Sequence, residues 1–128
     1  MEVLITQGIK ISVTPKYEPQ HSNPLDCKYL FSYHIVIENL SEYTVQLLKR
    51  HWLIRDAHGE LKEVQGDGVI GKQPILHPGQ IHEYSSWCPL TTAIGRMQGS
   101  YLMKRLSDGG AFDVQIPAFE LVAAFKYN

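Results

Sequence analysis

The chain has 128 residues and a formal net charge of −1, and its 12 Lys and Arg residues are dispersed rather than clustered. A chain of this length buries roughly two-thirds of its unfolded surface, which is enough for one domain with its own core. Because no basic patch is present, the electrostatic surface of a nucleic-acid-binding protein is missing. We therefore expect a single domain over residues 1–128 that folds without a metal or a disulfide and does not bind nucleic acid.

The N-terminus and the cysteines bear on the expected compartment. Residues 1–7 contain neither a basic leader nor a long apolar run, and no stretch of the chain reaches the roughly 18 apolar residues of a membrane span. The sequence therefore predicts a cytoplasmic protein without membrane insertion. In a reducing compartment, Cys27 and Cys88 are expected to be buried free thiols rather than a disulfide.

The first part of the chain has the two-residue period of β-strands. Residues 8–13 alternate weakly, and Pro15 and Pro19 are expected to keep the far end of this strand at a sheet edge or outside the sheet. Residues 27–38 alternate clearly, with Tyr29, Phe31, Tyr33, Ile35 and Ile37 on one face. The second segment is therefore predicted to be a strand with one buried side.

Turn residues divide the rest of the chain into further strands. Gly59, Pro78-Gly79 and the run from Ser107 to Gly110 mark the reversals. The predicted strands span residues 44–56, 60–65, 80–87, 95–106 and 111–116. Pro117 is expected to interrupt the last strand and to leave residues 119–125 as a separate extension.

These elements together predict an all-β fold. No apolar stripe with a period of 3.6 residues persists for more than about two turns, so helices should be absent or short. Seven or eight mainly antiparallel strands with such turns favour a β-sandwich of the immunoglobulin-like or fibronectin type III kind. Trp52 lies in the third strand, where immunoglobulin-like sandwiches carry a core Trp, but the two cysteines do not occupy the positions of the immunoglobulin disulfide.

Residues 66–72 form a glycine-rich segment that matches two phosphate-binding spacings, G-x-G-x-x-G and the beginning of G-x-x-x-x-G-K. Either motif needs a helix after the glycines, because a helix N-terminus supplies free N–H groups and a positive partial charge. Pro74 and Pro78-Gly79 follow instead, and Gln73 stands where the second motif needs Ser or Thr. The segment is therefore predicted to be a loop between strands rather than a nucleotide site.

Other chemistry has little support in the sequence. Among the six histidines only His77 and His82, which flank the Pro78-Gly79 turn, are weak candidates for a shared metal, and no second close pair completes a four-ligand set. Cys88 lies between Trp87 and Pro89, which suggests a buried thiol rather than a nucleophile. We therefore predict no catalytic residue, no cofactor and no designed metal site.

The strand that contains Trp52 offers residues suited to contact. Alternation places Arg50 with Trp52 on one face and Lys49 with His51 on the other. If Trp52 is buried, Arg50 must emerge at the end of the sheet or find a partner, while His51 projects to solvent.

The same region resembles the bacterial ApaG family. The resemblance covers nearly the whole chain and is carried by residues 50–56, residues 63–71, Pro74, Leu76, Pro78-Gly79, residues 84–86 and residues 99–101. It implies a fibronectin type III or immunoglobulin-like sandwich, in agreement with the strand pattern. It also implies an association with cobalt resistance and magnesium efflux without an established catalytic mechanism. In eukaryotes the same domain is joined to an F-box in one protein and occurs in a polymerase-δ-interacting protein, which implies a recognition module.

Two functions of different class follow. The first is a non-enzymatic interaction domain that contacts an unknown protein partner through Gly66, Asp67, Gly68, Gly71 and Lys72 and through the adjacent Arg50 and His51, because glycines allow close approach and the cations supply charge. The second is a small-ligand domain that binds a nucleotide, pyrophosphate or a divalent metal at residues 66–72 or at the histidine pair. Pairing of edge strands into a homodimer is left open by the sequence.

Overall fold

A computed structural model of the chain describes residues 1–123. It contains nine strands and two single-turn 3₁₀ helices, Pro19–His21 and Pro24–Asp26. The strands are β1 (Glu2–Thr6), β2 (Ile9–Tyr17), β3 (Tyr29–Asn39), β4 (Val45–Asp56), β5 (Leu61–Asp67), β6 (Ile75–Leu76), β7 (Ile81–Leu90), β8 (Ile94–Arg105) and β9 (Ala111–Val122).

The strands form two antiparallel sheets packed face to face. One sheet has the order β1-β2-β3-β7, and the other has the order β5-β4-β8-β9, with the short β6 paired to the beginning of β4. The β-sandwich predicted from the sequence is confirmed. The strands β1 and β6 were not predicted, since β1 lacks an alternating pattern and β6 has only two residues.

The core lies between the sheets. In β3 the residues Phe31, Tyr33, Ile35 and Ile37 all point inward, as the alternation predicts. Trp52 is 3% exposed and packs edge-on against Tyr33, with ring centroids 5.3 Å apart. Trp52 therefore occupies the core position that the comparison with immunoglobulin-like sandwiches suggested, and buried aromatic rings of this size contribute strongly to the free energy of folding.

Two prolines lie within strands. Pro15 pairs with Tyr33 of β3, but the register of β1 ends at Val13, so β2 is an edge strand where Pro15 lies and no ladder bond is lost on the outer side. Pro117 does not interrupt β9, contrary to the prediction. The β8–β9 register shifts between Met97 and Gly99, and this irregularity accommodates the proline within one continuous strand. The rest of the predicted extension, residues 124 and 125, lies outside the described residues.

The two lateral edges of the sandwich differ. On one side β1 and β2 pack against β9, and the Gln115 amide donates to Thr6 Oγ1 at 3.3 Å. On the other side β5 and β7 are both edge strands, and within residues 1–123 no strand lies between them. This second edge is where the candidate site lies.

The structure also tests the expectations for the thiols and for membrane spans. Cys27 and Cys88 are both free. Cys88 is buried as expected, whereas Cys27 is exposed because it ends the 3₁₀ turn Pro24–Asp26 outside the strands, contrary to the expectation of two buried thiols. Residues 1–123 contain no helix with the length and apolar character needed to span a membrane.

Candidate binding cleft and glycine loop

The glycine-rich segment, residues 66–72, is the glycine loop, and it connects the end of β5 to β6. It is closed by two reciprocal backbone bonds, from Val69 N to Lys72 O at 2.8 Å and from Lys72 N to Val69 O at 3.0 Å. Between them Ile70 and Gly71 both have positive φ, 47° and 71°. Positive φ at two successive residues is typical of the tight reversals that join strands. The expectation that no helix follows the glycines is confirmed.

Two of the glycines are required by contacts inside the chain. A Cβ added at Gly66 would lie 2.8 Å from the guanidinium carbon of Arg50, so the missing side chain makes room for that guanidinium. Gly68 has φ of +63°, and a Cβ there would collide with the carbonyl oxygen of Lys72. These two glycines are therefore needed for the shape of the loop, whereas the sequence analysis explained them by the close approach of a partner.

The amides of the loop do not converge on a common point. Gly68 N donates to Leu48 O at 2.8 Å, and the amides of Val69 and Lys72 are used by the reversal. An anion site made from backbone requires several free N–H groups directed at one place. The loop backbone consequently gives no support to the nucleotide or pyrophosphate alternative.

Arg50 ties the loop to β4. Its Nη1 donates to the carbonyl oxygens of Asp67 at 2.9 Å and Gly68 at 3.1 Å. Arg50 is half-buried and lies on the inner face with Trp52, so the sequence-based expectation that it must find a partner is met by two backbone carbonyls. Nε and Nη2 of Arg50 make no hydrogen bond to residues 1–123.

His51 lies on the opposite face of β4. Its Nε2 is 2.9 Å from Glu63 Oε2 on the neighbouring β5, and it borders a shallow groove on the outer face of the sheet. Arg50, Gly66 and Asp67 line the same groove, so four of the residues grouped by the sequence share this surface. Arg50 and Gly71 also line a cleft on the inner side, which His51 does not reach.

His77 and His82, the weak metal candidates, have different surroundings. His77 Nδ1 lies 3.1 Å from Thr44 Oγ1. The ring of His82 is on the inner face, and burial together with the nearby charge of Lys72 lowers its pKa. Among the described residues no group of three or more His, Cys, Asp or Glu side chains is placed to hold a metal ion.

Behind the loop lies a cleft of about 290 Å³ between the edge strands β5 and β7, which we call the β5/β7 cleft. Its floor is aromatic and hydroxylic, with Tyr33, Tyr84 and Ser86 contributed by β3 and β7. The Tyr84 hydroxyl lies 2.5 Å from that of the fully buried Tyr101. This bond links the two sheets across the cleft.

The tyrosines stay neutral at physiological pH. Burial raises the pKa of Tyr84 and of Tyr101 well above the usual value, and burial likewise raises the pKa of Tyr33. Burial also raises the pKa of Cys88 to about 11. A thiol with this pKa is protonated and a poor nucleophile. The cleft therefore offers neutral hydroxyls and the cations of Arg50 and Lys62, with no nucleophile paired to a base among its lining residues.

The mouth of the cleft is apolar and exposed. Ile70 at the tip of the loop is 60% exposed, and Trp87 on β7 is 53% exposed. Both line the same cleft. Exposed large apolar residues beside a concave site are typical of interaction surfaces.

Sequence reasoning missed most of this site. Trp87, Tyr84 and Tyr101 were not proposed as contact residues, and Ile70 was not singled out within the loop. The alternation of Tyr84, Ser86 and Cys88 marks the inner face of β7, but only the tertiary pairing of β7 with β3 shows that this face borders a cleft. The local pattern therefore carried a signal for a strand and none for a site.

Comparisons with known proteins place the chain in a family. A family model described as "ApaG domain" matches residues 19–105. Relatives called Protein ApaG from Brucella abortus (strain S19) and Sinorhizobium fredii (strain NBRC 101917 / NGR234) are each 49% identical over 117 residues, which is 91% of this chain and 89% of each relative.

Solved structures agree with these matches. A Bordetella pertussis protein assigned as ApaA superposes with a TM-score of 0.87 at 42% identity, over 89% of this chain and 92% of that one. The C-terminal domain of wzt superposes with a TM-score of 0.56 at 12% identity, over 98% of this chain and 79% of that one, and shows a likeness of fold alone. From the match of the family model and the identity to its relatives, the chain belongs to the ApaG domain family.

Proposed function

We propose that this protein is a non-enzymatic recognition module that binds a protein partner through the glycine loop and the mouth of the β5/β7 cleft. Any effect on cobalt resistance or magnesium efflux, the association implied by the family resemblance, then passes through that partner. Arg50 and the loop residues Gly66 to Lys72 form the contact surface. His51 lies in the groove that Arg50, Gly66 and Asp67 also line, and it contributes to a partner that reaches around β5.

The observation that carries this proposal is that Ile70 and Trp87 are both exposed and both line the β5/β7 cleft. Ile70 adopts a positive φ of 47°, which is unfavourable for a β-branched residue. An Asn at that position would relieve the strain and remove an exposed apolar side chain. The presence of Ile there supports a contact that rewards its apolar surface.

The chemistry of the cleft supports recognition over catalysis. Its titratable side chains include tyrosines and a cysteine whose raised pKa values keep them protonated, and a guanidinium already bonded to the loop backbone. General acid–base work requires a group whose pKa lies near the operating pH. His82, whose pKa is lowered by burial and by the nearby charge of Lys72, is not among the residues lining the cleft.

The test is affinity purification from the native host with quantitative mass spectrometry. We compare the wild-type chain with Ile70→Asn and Trp87→Thr, and with Leu25→Asn as the matched control, because Leu25 is 96% exposed in the 3₁₀ turn Pro24–Asp26. A partner that is lost with both cleft variants and kept with Leu25→Asn is the expected result. A partner list unchanged by Ile70→Asn and Trp87→Thr would refute the assigned surface.

Titration followed by NMR amide chemical shifts tests the small-ligand alternative. ATP, pyrophosphate, Mg²⁺ and Co²⁺ should leave the amide chemical shifts of residues 66–72 unchanged, since Gly68, Val69 and Lys72 already donate to backbone carbonyls. Saturable and localised shifts in this loop would favour the small-ligand function instead.

A further inference from the structure

The strand β7 has one regular and unpaired edge. It pairs with β3 in an unbroken register from Tyr29↔Leu90 to Glu38↔Ile81, with no bulge. Within residues 1–123 no strand pairs with its other side. A straight ten-residue edge without a bulge is a template for an added strand.

The direction of its backbone groups follows from one bond. Asn39 N donates to Gln80 O at 3.0 Å, so Gln80 and the even-numbered residues of β7 face β3. In an antiparallel ladder the alternate residues face the other way, so Ile81, Glu83, Ser85, Trp87 and Pro89 direct their backbone groups to the free edge. Pro89, which has no N–H, falls in this outward series, where its missing donor breaks no bond to β3.

The β5/β7 cleft extends beyond this edge. Trp87 and Pro89 have outward side chains and nevertheless line the cleft together with Lys62 and Val64 of β5 on the far side. A strand added to β7 would thus cover the opening, and every second side chain of that strand would point into the cleft.

The cleft has the charge of a site for an anionic group. Its lining includes the cations Arg50 and Lys62 and no Asp or Glu. Only Nη1 of Arg50 is engaged by the loop. Trp52 lines the cleft and is 3% exposed, and its Nε1 has no acceptor among residues 1–123. Because no fully buried side-chain polar atom there lacks a partner, this N–H keeps some contact with solvent. Guanidinium, indole N–H and hydroxyl donors together suit a carboxylate.

We propose that an extended segment of a partner protein adds to the free edge of β7 as a further strand and places an Asp or Glu side chain in the β5/β7 cleft, against Arg50 and Lys62. This inference rests on the proposed function, since it specifies how a protein partner is held. A second copy of this chain is a poorer occupant, because the inward side chains of its own β7, such as Tyr84 and Cys88, are committed to its own core.

The first experiment selects ligands without assuming the partner. A phage-displayed library of random twelve-residue peptides is panned against the full chain, and the enriched peptides are synthesised. We expect alternating β-branched or aromatic residues around an Asp or Glu. Selection that enriches no sequence, or that enriches basic peptides, would overturn the proposal.

Variants then separate strand addition from other modes of binding. Ser85→Pro removes an outward N–H, as Pro89 already does, while Ser85→Ala controls for the bond between the Ser85 hydroxyl and His34. Ser85→Pro should lower the affinity for the selected peptide by about tenfold, the effect of one lost hydrogen bond, and Ser85→Ala should leave the affinity unchanged. Lys62→Gln should lower the affinity by about threefold, with Lys16→Gln on β2 as the control. Equal affinity for Ser85→Pro and Ser85→Ala would refute strand addition.

Hydrogen exchange of the wild-type chain gives a readout that does not depend on any variant folding. The amides of Glu83, Ser85 and Trp87 should exchange quickly in the free protein and slowly with the peptide bound. The amides of Tyr84 and Ser86 should be protected in both. Unchanged exchange at Ser85 in the complex would contradict the proposal.

Other occupants of the edge have their own signatures. Sedimentation of a dimer that Ser85→Pro dissociates would assign the edge to a second copy. If a variant that ends at Ala123 binds the peptide more tightly than the full chain, residues 124–128 compete for the edge of β7 and are its occupant. Either result overturns the partner segment. If cleft variants lose the native partner while Ser85→Pro keeps it, the proposed function stands and this inference fails.

Discussion

Gly66 and Arg50 should be energetically coupled, because the guanidinium occupies the space that a side chain at residue 66 would take. The perturbation is Gly66→Ala, whose added Cβ would lie 2.8 Å from Arg50 Cζ and from both terminal nitrogens. Gly66 does not have a positive φ, so Ala is compatible with the backbone there. The expected damage is therefore displacement of Arg50 and not backbone strain.

The magnitude follows from the bonds that are lost. Arg50 Nη1 makes one exposed and one partly buried bond to loop carbonyls, at 2.9 Å and 3.1 Å. At about 1 kcal/mol each, their loss costs about 2 kcal/mol. Replacement of Gly by Ala also stabilises the fold by about 0.5 kcal/mol, because it lowers the conformational entropy of the unfolded chain. Gly66→Ala should therefore lower the free energy of unfolding by about 1.5 kcal/mol.

The assay is a double-mutant cycle measured by urea denaturation. In an Arg50→Ala background, Gly66→Ala should cost nothing or stabilise by about 0.5 kcal/mol. Gly59→Ala is the control, since Gly59 has φ of +84° in a distant turn with open space around it and should cost the same, about 1 kcal/mol, in both backgrounds. If Gly66→Ala cost the same with and without Arg50, the explanation of this glycine would be refuted.

Three further predictions follow from the core and the titrating groups. In the native protein a thiol reagent should modify the exposed Cys27 and spare the buried Cys88, whose pKa is raised to about 11, and Cys27→Ser should leave no fast thiol. Because burial lowers the pKa of His82, the unfolded state takes up a proton first as the pH falls below about 6.5, so stability should decrease from pH 7.5 to pH 5 and His82→Gln should flatten this decrease in chemical denaturation. Trp52→Ala should lower the free energy of unfolding by about 4 kcal/mol, against less than 1 kcal/mol for Leu25→Ala at an exposed position.

The fold was more predictable from the sequence than the site. Alternation from Phe31 to Ile37 determines which face of β3 is buried, because a period of two admits only two choices and only one is apolar. Pro15 was placed correctly at an edge because a proline has no N–H to donate to a second neighbouring strand. The effect of Pro117 was predicted wrongly, because the register irregularity that accommodates it lies opposite Met97 and Gly99 in another strand.

The site depends on pairings that sequence patterns do not encode. The Tyr84–Tyr101 bond joins strands of different sheets, and the free edge of β7 exists only because β5 and β7 lie in different sheets at the same side of the sandwich. The glycines of residues 66–72 were visible in the sequence, but the reason for Gly66 required the position of the Arg50 guanidinium. Local chemistry drew attention to this loop, and only the tertiary structure explains why two of its glycines are needed.

Site-specific photo-crosslinking in the native host tests the central claim most directly. A photoreactive amino acid replaces Ile70 at the mouth of the cleft or Leu25 at the remote 3₁₀ turn, and adducts are compared after irradiation. A discrete protein adduct at position 70 that is absent at position 25 is the predicted result. The same adduct at both positions, or none at position 70 while a native partner co-purifies, would contradict recognition through the glycine loop and the β5/β7 cleft.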